Sequence, residues 1–87
     1  MTGIEGTPSD VALLKADLKQ GDTGEQVGDL QEFLAFEGSY KNAIVSNYFG
    51  PLTHGGVKNF QTAYGVTPVS GIVGPKTRHT IQAVLGL

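Results

Sequence analysis

The residues of this sequence that could perform acid–base or metal chemistry do not form a catalytic pattern. The two histidines, His54 and His79, fall in separate predicted helices without the His-Glu-x-x-His spacing of a zinc site. No Gly-x-Ser-x-Gly stretch is present to expose a nucleophilic serine at a sharp turn. Capping, the helix dipole and a solvated face account for the carboxylates around the first predicted helix, which are Asp22, Glu25, Asp29, Glu32 and Glu37. We therefore predict a protein without enzymatic activity, bound metal or organic cofactor.

The composition argues against several other classes of function. With six Lys and Arg against eight Asp and Glu, the 87-residue chain lacks the basic cluster through which proteins bind nucleic acid. It has no cysteine to form a disulfide, a thiolate zinc site or a nucleophile. No apolar run approaches the roughly 20 residues that span a bilayer. We expect a small monomeric protein whose partners include neither nucleic acid nor a membrane.

Two Gly-Pro steps mark the first group of candidate binding residues. Gly50-Pro51 and Gly74-Pro75 can each begin a helix, whose first backbone N–H groups favour an anion. His54 follows the first step, and Lys76 and Arg78 follow the second, although a cation near a helix N-terminus is unfavourable by about 0.3–1 kcal/mol. A bound carboxylate would reverse that effect. We predict that these three side chains bind a carboxylate, with the alternative that they are solvated surface groups.

Aromatic residues form the second candidate group. Tyr40, Tyr48 and Phe49 are close in the sequence, and aromatic faces can stack on the C–H faces of sugars. We predict that Phe49 lies in the core. Tyr40 and Tyr48 are candidate ligand contacts, with packing against the helices as the alternative. Gln31 and Gln61 each follow an apolar helix position, and we predict hydrogen bonds from their amides to loop backbone.

Three amphipathic stretches would position these candidates. The first opens after Gly24, where Asp22 or Thr23 is predicted to cap the helix and Glu25 or Gln26 to complete a capping box. Its end is predicted at Gly38. Its apolar stripe, which has the spacing of one helix face, consists of Val27, Leu30, Phe33 and Leu34.

The second and third stretches begin at the two Gly-Pro steps. The second ends at Gly65 and contains Gly55-Gly56, although each glycine costs a helix interior about 1 kcal/mol relative to alanine. We predict a close helix–helix approach at Gly56. The predicted core stripe of the second stretch is Val57, Phe60 and Tyr64. The third carries an apolar side made of Thr77, Ile81, Val84 and Leu85.

Together these stretches predict an all-α fold, a compact three-helix bundle with loops at residues 39–49 and 66–73. Gly50-Pro51-Leu52-Thr53 recurs as Gly74-Pro75-Lys76-Thr77, but the repeat is not sustained enough for a solenoid. Residues 1–8 do not read as a signal peptide and are predicted to be a flexible tail or linker, before a single domain over residues 9–87. Val11, Leu14 and Leu18 fit either a short extra N-terminal helix or an extended lead-in around Leu18. We expect the chain to be a piece of a longer protein.

A series of motifs runs in order from Leu18 to Leu85. It contains Leu18-x-x-Gly21-Asp22-x-Gly24-x-x-Val27-x-x-Leu30-Gln31-x-x-Leu34, then Tyr48-Phe49-Gly50-Pro51-x-Thr53, Val57-x-x-Phe60-Gln61-x-x-Tyr64-Gly65-Val66 and Gly71-Ile72-Val73-Gly74-Pro75-x-Thr77. In this order and spacing the chain resembles the peptidoglycan-binding domain found beside many cell-wall enzymes. Two features depart from that family. Gly56 stands where alanine is usual, and the loop of residues 41–47 lacks a common acidic residue and has Asn47 at a common glycine position.

The resemblance implies a non-catalytic three-helix module that attaches a larger protein to bacterial cell-wall peptidoglycan, in the cell envelope or outside the cell. Its implied partners are the glycan or the stem peptide of the wall and a fused catalytic domain. The alternative is a protein–protein interaction or structural module with the same fold. A contiguous patch of exposed apolar side chains in the loop of residues 39–49 would favour that alternative.

Overall fold

A computed structural model describes residues 14, 16–41 and 44–86 of the chain. Three helices form there: α1 over Glu25–Glu37, α2 over Pro51–Tyr64 and α3 over Pro75–Val84. The described residues contain no β-strand, only two isolated β-bridges. The predicted all-α, three-helix fold is confirmed. None of the helices in this part of the chain has the length and apolar character needed to cross a bilayer.

The core lies between the helices and includes side chains from the loops. The ring of Phe33 on α1 meets the ring of Phe60 on α2 edge to face, with centroids 5.5 Å apart. Burying one such large side chain stabilises a fold by roughly 1.5–3 kcal/mol. The apolar stripes predicted for α1 and α3 face this core, and the loops contribute Phe49 and Val73, both fully buried. The prediction that Phe49 is a core residue is therefore confirmed.

The predicted stripe of α2 is correct for Val57 and Phe60 but wrong for Tyr64. The Tyr64 ring contacts that of Phe60, with centroids 4.7 Å apart, yet 44% of Tyr64 is exposed. Tyr64 is the last residue of α2 before Gly65. Because the helix ends there, no following turn covers the tyrosine, and it lies at the edge of the core.

The start of α1 also differs from the prediction. The N-cap residue is Gly24, and no side chain caps the helix. The Asp22 carboxylate instead accepts a hydrogen bond from the backbone N–H of Lys19, at 2.9 Å. The backbone N–H of Asp22 donates to the Lys19 carbonyl in the same turn, at 3.1 Å. This local turn directs Asp22 away from the helix, so the predicted cap by Asp22 or Thr23 is wrong.

The other helix boundaries follow the glycine and proline signals. Pro51 and Pro75 occupy the first turns of α2 and α3. Proline is suited to that place because the first N–H groups of a helix have no partner within it. The ends of α1 and α2 at Gly38 and Gly65 are also as predicted.

The segment before α1 pairs with both loops, at one position on each side of its turn at residues 19–22. Leu18 pairs with Val73 through two backbone hydrogen bonds of 3.0 and 2.8 Å, and Thr23 forms a bridge with Tyr48. The extended lead-in around Leu18 is therefore confirmed. The alternative short helix, whose apolar pattern starts at Val11, lies largely outside the described residues, and the predicted tail of residues 1–8 lies wholly outside them, so the domain division stays a prediction.

Candidate functional site

A buried glutamine of α1 fixes the loop that precedes α2. The Gln31 side-chain N–H₂ lies 2.9 Å from the Thr53 hydroxyl, 3.0 Å from the Tyr48 carbonyl and 3.2 Å from the Ser46 hydroxyl. Its side-chain carbonyl accepts hydrogen bonds from the backbone N–H groups of Ser46 and Asn47, at 2.9 and 3.0 Å. One side chain thus sets the path of residues 46–48 relative to the first turn of α2.

A second glutamine repeats this arrangement before α3. The Gln61 side-chain N–H₂ donates to the Ile72 carbonyl at 2.9 Å and to the Thr77 hydroxyl at 3.1 Å. Its side-chain carbonyl accepts from the backbone N–H of Gly71 at 2.9 Å. The prediction that both glutamine amides bond to loop backbone is confirmed. The sequence repeat at the Gly-Pro steps is therefore also a structural repeat, in which residues 46–53 correspond to residues 70–77.

A surface cavity of about 160 Å³ lies where the first of these loops meets α2. The Tyr48 side chain, 49% exposed, forms one wall, beside the exposed side chains of Ile44 and Leu52. The Tyr48 ring lies over Gly50, where an added Cβ would come within 2.8 Å of the ring. The buried Gln31 bonds therefore present an exposed aromatic ring on a fixed loop.

A second cavity, of about 260 Å³, continues from the first along α2. The two cavities share Tyr40, Pro51 and Leu52 among their lining residues, and we call them together the α2 groove. The second part of the groove is lined further by Ser39, Lys41, Gly55, Gly56 and Asn59. Of the described residues that line the α2 groove, Lys41 alone carries a charge; the other groups are apolar, hydroxyl or amide.

The two glycines of α2 have different surroundings in this groove. A Cβ on Gly56 would lie 3.3 Å from the Tyr40 Cβ and 3.6 Å from a Leu34 methyl group, which confirms a close approach between α2 and α1 with its following loop. A Cβ on Gly55 would meet no other heavy atom within 4 Å. Packing therefore explains Gly56 and leaves the cost of Gly55 in the helix unexplained.

The second loop borders a different cavity, which we call the α3 cavity. Its volume is about 530 Å³, and its lining residues include Val66, Pro68, Ile72, Pro75 and Lys76. The Lys76 ammonium group donates to the Thr67 carbonyl at 3.2 Å. The α3 cavity thus has Ile72 and Lys76 at the positions where the α2 groove has Tyr48 and Leu52.

Comparison with known proteins decides the family. The model of the peptidoglycan binding domain family matches residues 23–81, more than half of the chain. This chain belongs to the peptidoglycan-binding domain family. No solved structure shows a significant match.

Its relatives include named bacterial enzymes. The spore cortex-lytic enzyme of Bacillus subtilis (strain 168) is 38% identical over 74% of this chain and 21% of the relative. The zinc D-Ala-D-Ala carboxypeptidase of Streptomyces albus G is 38% identical over 74% of this chain and 25% of the relative. An uncharacterised protein of Kitasatospora aureofaciens is 45% identical over 69% of this chain and 50% of the relative. The match thus spans between about a fifth and a half of the length of these curated relatives.

The structure brings together only two of the five residues that the sequence proposes as ligand contacts of this peptidoglycan-binding domain. Tyr40 and Tyr48 both line the α2 groove. Tyr40 is only 5% exposed, and its hydroxyl donates to the Ile44 carbonyl at 2.9 Å. Packing is therefore the main role of Tyr40, whereas Tyr48 is accessible. Lys76 lies apart from both, in the lining of the α3 cavity.

Arg78 and His54 line neither the α2 groove nor the α3 cavity. The Arg78 guanidinium forms an ion pair with Asp17, so a carboxylate of this chain already lies beside that cation. The His54 ring packs against Gly71, and its Nδ1 is buried without a hydrogen-bond partner among the described residues. Whether His54, Lys76 or Arg78 contacts a ligand stays a prediction.

Several groove residues were not among the sequence-based candidates. These are Lys41, Ile44, Leu52, Gly55 and Asn59. The Gly55-Gly56 pair gave a signal in the sequence, because two glycines inside a helix require a reason. The remaining residues become neighbours only when the loop folds onto α2. Within the described part of the chain, no three His, Cys, Asp or Glu side chains cluster as metal ligands would.

Proposed function

We propose that this domain attaches a larger protein non-covalently to bacterial peptidoglycan and that the α2 groove is its contact surface. Family membership supports the ligand class. The observation that carries the choice of site is the exposed Tyr48 ring beside Leu52, in a groove that continues to the open helix surface at Gly55. Aromatic and aliphatic walls with neutral hydrogen-bonding groups suit reversible recognition of a polar polymer.

The proposal includes a fused catalytic domain in a longer parent protein. The matches in the spore cortex-lytic enzyme and the zinc D-Ala-D-Ala carboxypeptidase cover a quarter or less of those proteins, which leaves most of each chain for another domain. In such a parent, this module would hold the enzyme at its insoluble substrate without taking part in catalysis. The site of action is then the cell envelope or the extracellular space, and we propose that the module acts as a monomer.

Co-sedimentation with insoluble bacterial sacculi tests the proposal, with an acidic protein of similar size as the control. We expect saturable pelleting that soluble muropeptides reverse. Tyr48→Ala is expected to weaken pelleting by about tenfold, which corresponds to roughly 1.4 kcal/mol of lost aromatic contact. Ile72→Ala, the corresponding change at the α3 cavity, is expected to leave pelleting unchanged. A folded protein that stays in the supernatant with several wall types would contradict wall attachment.

The predicted carboxylate contact at α3 is tested in the same assay. Lys76→Gln removes the ammonium charge at the α3 cavity, and Arg78→Gln removes the charge that pairs with Asp17. If a stem-peptide carboxylate bound there, each change would weaken pelleting while Tyr48→Ala would not. The reverse pattern assigns binding to the α2 groove.

One observation favours the second candidate function, a module that binds another polypeptide. Ile44 and Leu52 are 54% and 56% exposed, and with Tyr48 they line one cavity. Ile44 and Tyr48 belong to the loop of residues 39–49, where adjacent exposed apolar side chains favour this alternative, and Leu52 of α2 extends their patch. Backbone amide NMR with soluble muropeptides separates the two functions. Shifts at residues 44–55 support wall binding, and an unchanged spectrum of the folded protein favours a polypeptide partner.

A further inference from the structure

The α2 groove is nearly uncharged, and this property bears on which part of peptidoglycan it binds, the stem peptides or the glycan strand. Stem peptides carry carboxylates, which proteins bind through Arg and Lys in charge-assisted hydrogen bonds. The glycan strand offers C–H faces, hydroxyl groups and N-acetyl groups. We infer that the α2 groove binds the glycan strand and not the stem peptides, an inference that rests on the proposed function.

The distribution of cations supports this choice. Lys41 is the single charged group among the lining residues that the structure describes. The Arg78 guanidinium is already paired with Asp17. Lys76 faces the α3 cavity, where it donates to the Thr67 carbonyl. A stem peptide in the α2 groove would bring several carboxylates to a surface whose described residues include one cation, whereas a glycan strand whose lactyl groups are amidated by the stem peptides is uncharged.

Tyr48 provides a pre-organised surface for a sugar ring. Its backbone N–H donates to the Ser46 hydroxyl at 3.2 Å, and its carbonyl accepts from Gln31 at 3.0 Å. Both main-chain groups are thus held while the ring remains half exposed. Less freedom is lost on binding when the contact side chain stands on a fixed backbone. The aliphatic side chains of Ile44 and Leu52 beside the ring suit the methyl group of an N-acetyl substituent.

Gly55 provides the close approach that a bulky sugar chain requires. Glycine weakens a helix interior, and apart from the adjoining helix backbone no described atom lies within 4 Å of the place where the Gly55 Cβ would be. Glycine is favoured where a backbone must come near a ligand. Because Gly55 lines the part of the groove that continues from the Tyr48 cavity, a linear polymer could pass from the aromatic wall onto the bare helix surface.

The polar groups of the groove are neutral and suit sugar hydroxyl groups. The Asn59 side-chain N–H₂ donates to the Ser39 carbonyl at 3.2 Å, which orients the amide at one end of the groove. The Ser46 hydroxyl lies at the other end, 3.2 Å from the Tyr48 carbonyl. Hydroxyl and amide groups can donate to and accept from the same sugar.

A competition experiment tests the inference with the 87-residue chain bound to intact sacculi. One competitor is the peptide-free glycan released by an amidase, with the lactyl carboxylates that this cleavage leaves converted to uncharged methylamides, and the other is the free stem peptide at equal concentration. We expect the glycan to displace the protein and the peptide to leave it bound. Displacement by the peptide, alone or together with the glycan, overturns the inference, as does displacement by neither. If the protein never binds intact sacculi, the proposed function fails first, so the two failures are distinguishable.

Variants at Gly55 and Tyr48 test the groove directly. Gly55→Leu fills the open surface and is expected to weaken binding to the peptide-free glycan by tenfold or more, as Tyr48→Ala does by about tenfold. Ala63→Leu is the matched control, since Ala63 is exposed on the same helix and lines neither cavity of the groove. Circular dichroism and a urea transition establish that each variant is folded. Equal glycan affinity in a folded Gly55→Leu variant and its control would overturn the inference.

Discussion

The two loop–helix units of this domain share a buried framework and differ at the surface. In the first unit, residues 46–64, the loop is fixed by Gln31. In the second, residues 70–84, the corresponding loop is fixed by Gln61. Each glutamine also donates to a threonine in the first turn of the helix that follows, Thr53 or Thr77. The side chains that these loops expose are not shared.

At corresponding exposed positions the two units carry different side chains. Tyr48 of the first loop corresponds to Ile72 of the second, and Leu52 corresponds to Lys76. The first pair lines the α2 groove, and the second pair lines the α3 cavity. The buried amide network fixes the loop backbone without dictating the outer side chains. Ligand chemistry can therefore differ between two units of the same construction.

The largest expected difference between the units comes from removing their glutamines. Gln31→Leu removes three contacts of the side-chain N–H₂ and two hydrogen bonds to the side-chain carbonyl, and Gln61→Leu removes two contacts and one hydrogen bond of the same kinds. We expect losses in the free energy of unfolding of about 3–4 and 2–3 kcal/mol, measured by urea denaturation. Gln20→Leu, at an exposed turn, serves as the control and should change stability by less than about 0.5 kcal/mol. A larger loss for Gln61→Leu than for Gln31→Leu would contradict the ranking.

The next largest effect is expected from the residues that follow Ser46 and Ser70 in the two loops. Gly71 has φ 79° and the corresponding Asn47 has φ 65°, a left-handed conformation that glycine and asparagine tolerate best. A Cβ on Gly71 would also lie 2.2 Å from the His54 ring. Gly71→Ala is therefore expected to cost about 2–3 kcal/mol of unfolding free energy, and Asn47→Ala about 1 kcal/mol. Equal losses in thermal unfolding would show that the contact with His54 does not matter.

A double-variant cycle separates strain from steric overlap at this position. Replacing His54 by alanine removes the ring that the new methyl group would meet. Gly71→Ala should then cost less in the His54→Ala background than in the unchanged protein, with a coupling of about 1 kcal/mol. Additive losses would assign the whole effect to the backbone conformation.

A smaller change, a gain in the free energy of unfolding, is expected from a substitution in α2. Gly55→Ala adds a methyl group where no atom interferes, and it should raise the free energy of unfolding by about 0.5–1 kcal/mol. The corresponding residue of α3 is His79, which is exposed, and His79→Ala should change stability by a few tenths of a kcal/mol. Calorimetry would detect the Gly55→Ala gain as a rise in Tm of a few degrees. A decrease in Tm would mean that Gly55 has a packing role.

The smallest effect concerns the corresponding pair His54 and Arg78. His54 packs against Gly71, whereas Arg78 pairs with Asp17, whose side chain is 60% exposed. Asp17→Asn is expected to cost less than about 1 kcal/mol, and the cost should shrink at high salt because exposed ion pairs are screened. Urea transitions at low and high ionic strength measure this. A loss that is large and independent of salt would show that the pair does more than an exposed ion pair.

The sequence predicts the helices well because their signals are local. Proline at the start of α2 and α3, glycine after α1 and α2, and the apolar spacing of Val27 and Leu30 depend on nearby residues alone. The cap at Asp22 failed because a turn with Lys19 competes for the same carboxylate. Both glutamines were predicted correctly because a polar residue beside a core position needs a partner.

The candidate site is less predictable because it depends on contacts distant in the sequence. Tyr48 and Gly55 line adjoining cavities only because Gln31 holds the loop against α2. The sequence could not show that Lys76 and Tyr48 line different cavities, since the repeated Gly-Pro steps make both units look alike. The division into an α2 groove and an α3 cavity appears only in three dimensions.

The pairing of Leu18 with Val73 has a consequence for how the chain folds during synthesis. The backbone N–H and carbonyl of Leu18 are hydrogen-bonded to Val73 in a loop that follows α2. The Asp17–Arg78 pair joins positions 61 apart in sequence. Contacts this distant slow folding, because a large loop of chain must close before they form. On the ribosome, α1 and α2 would emerge before the partner of Leu18 exists. We expect the nascent domain to resist a protease only after Val73 and α3 have left the exit tunnel.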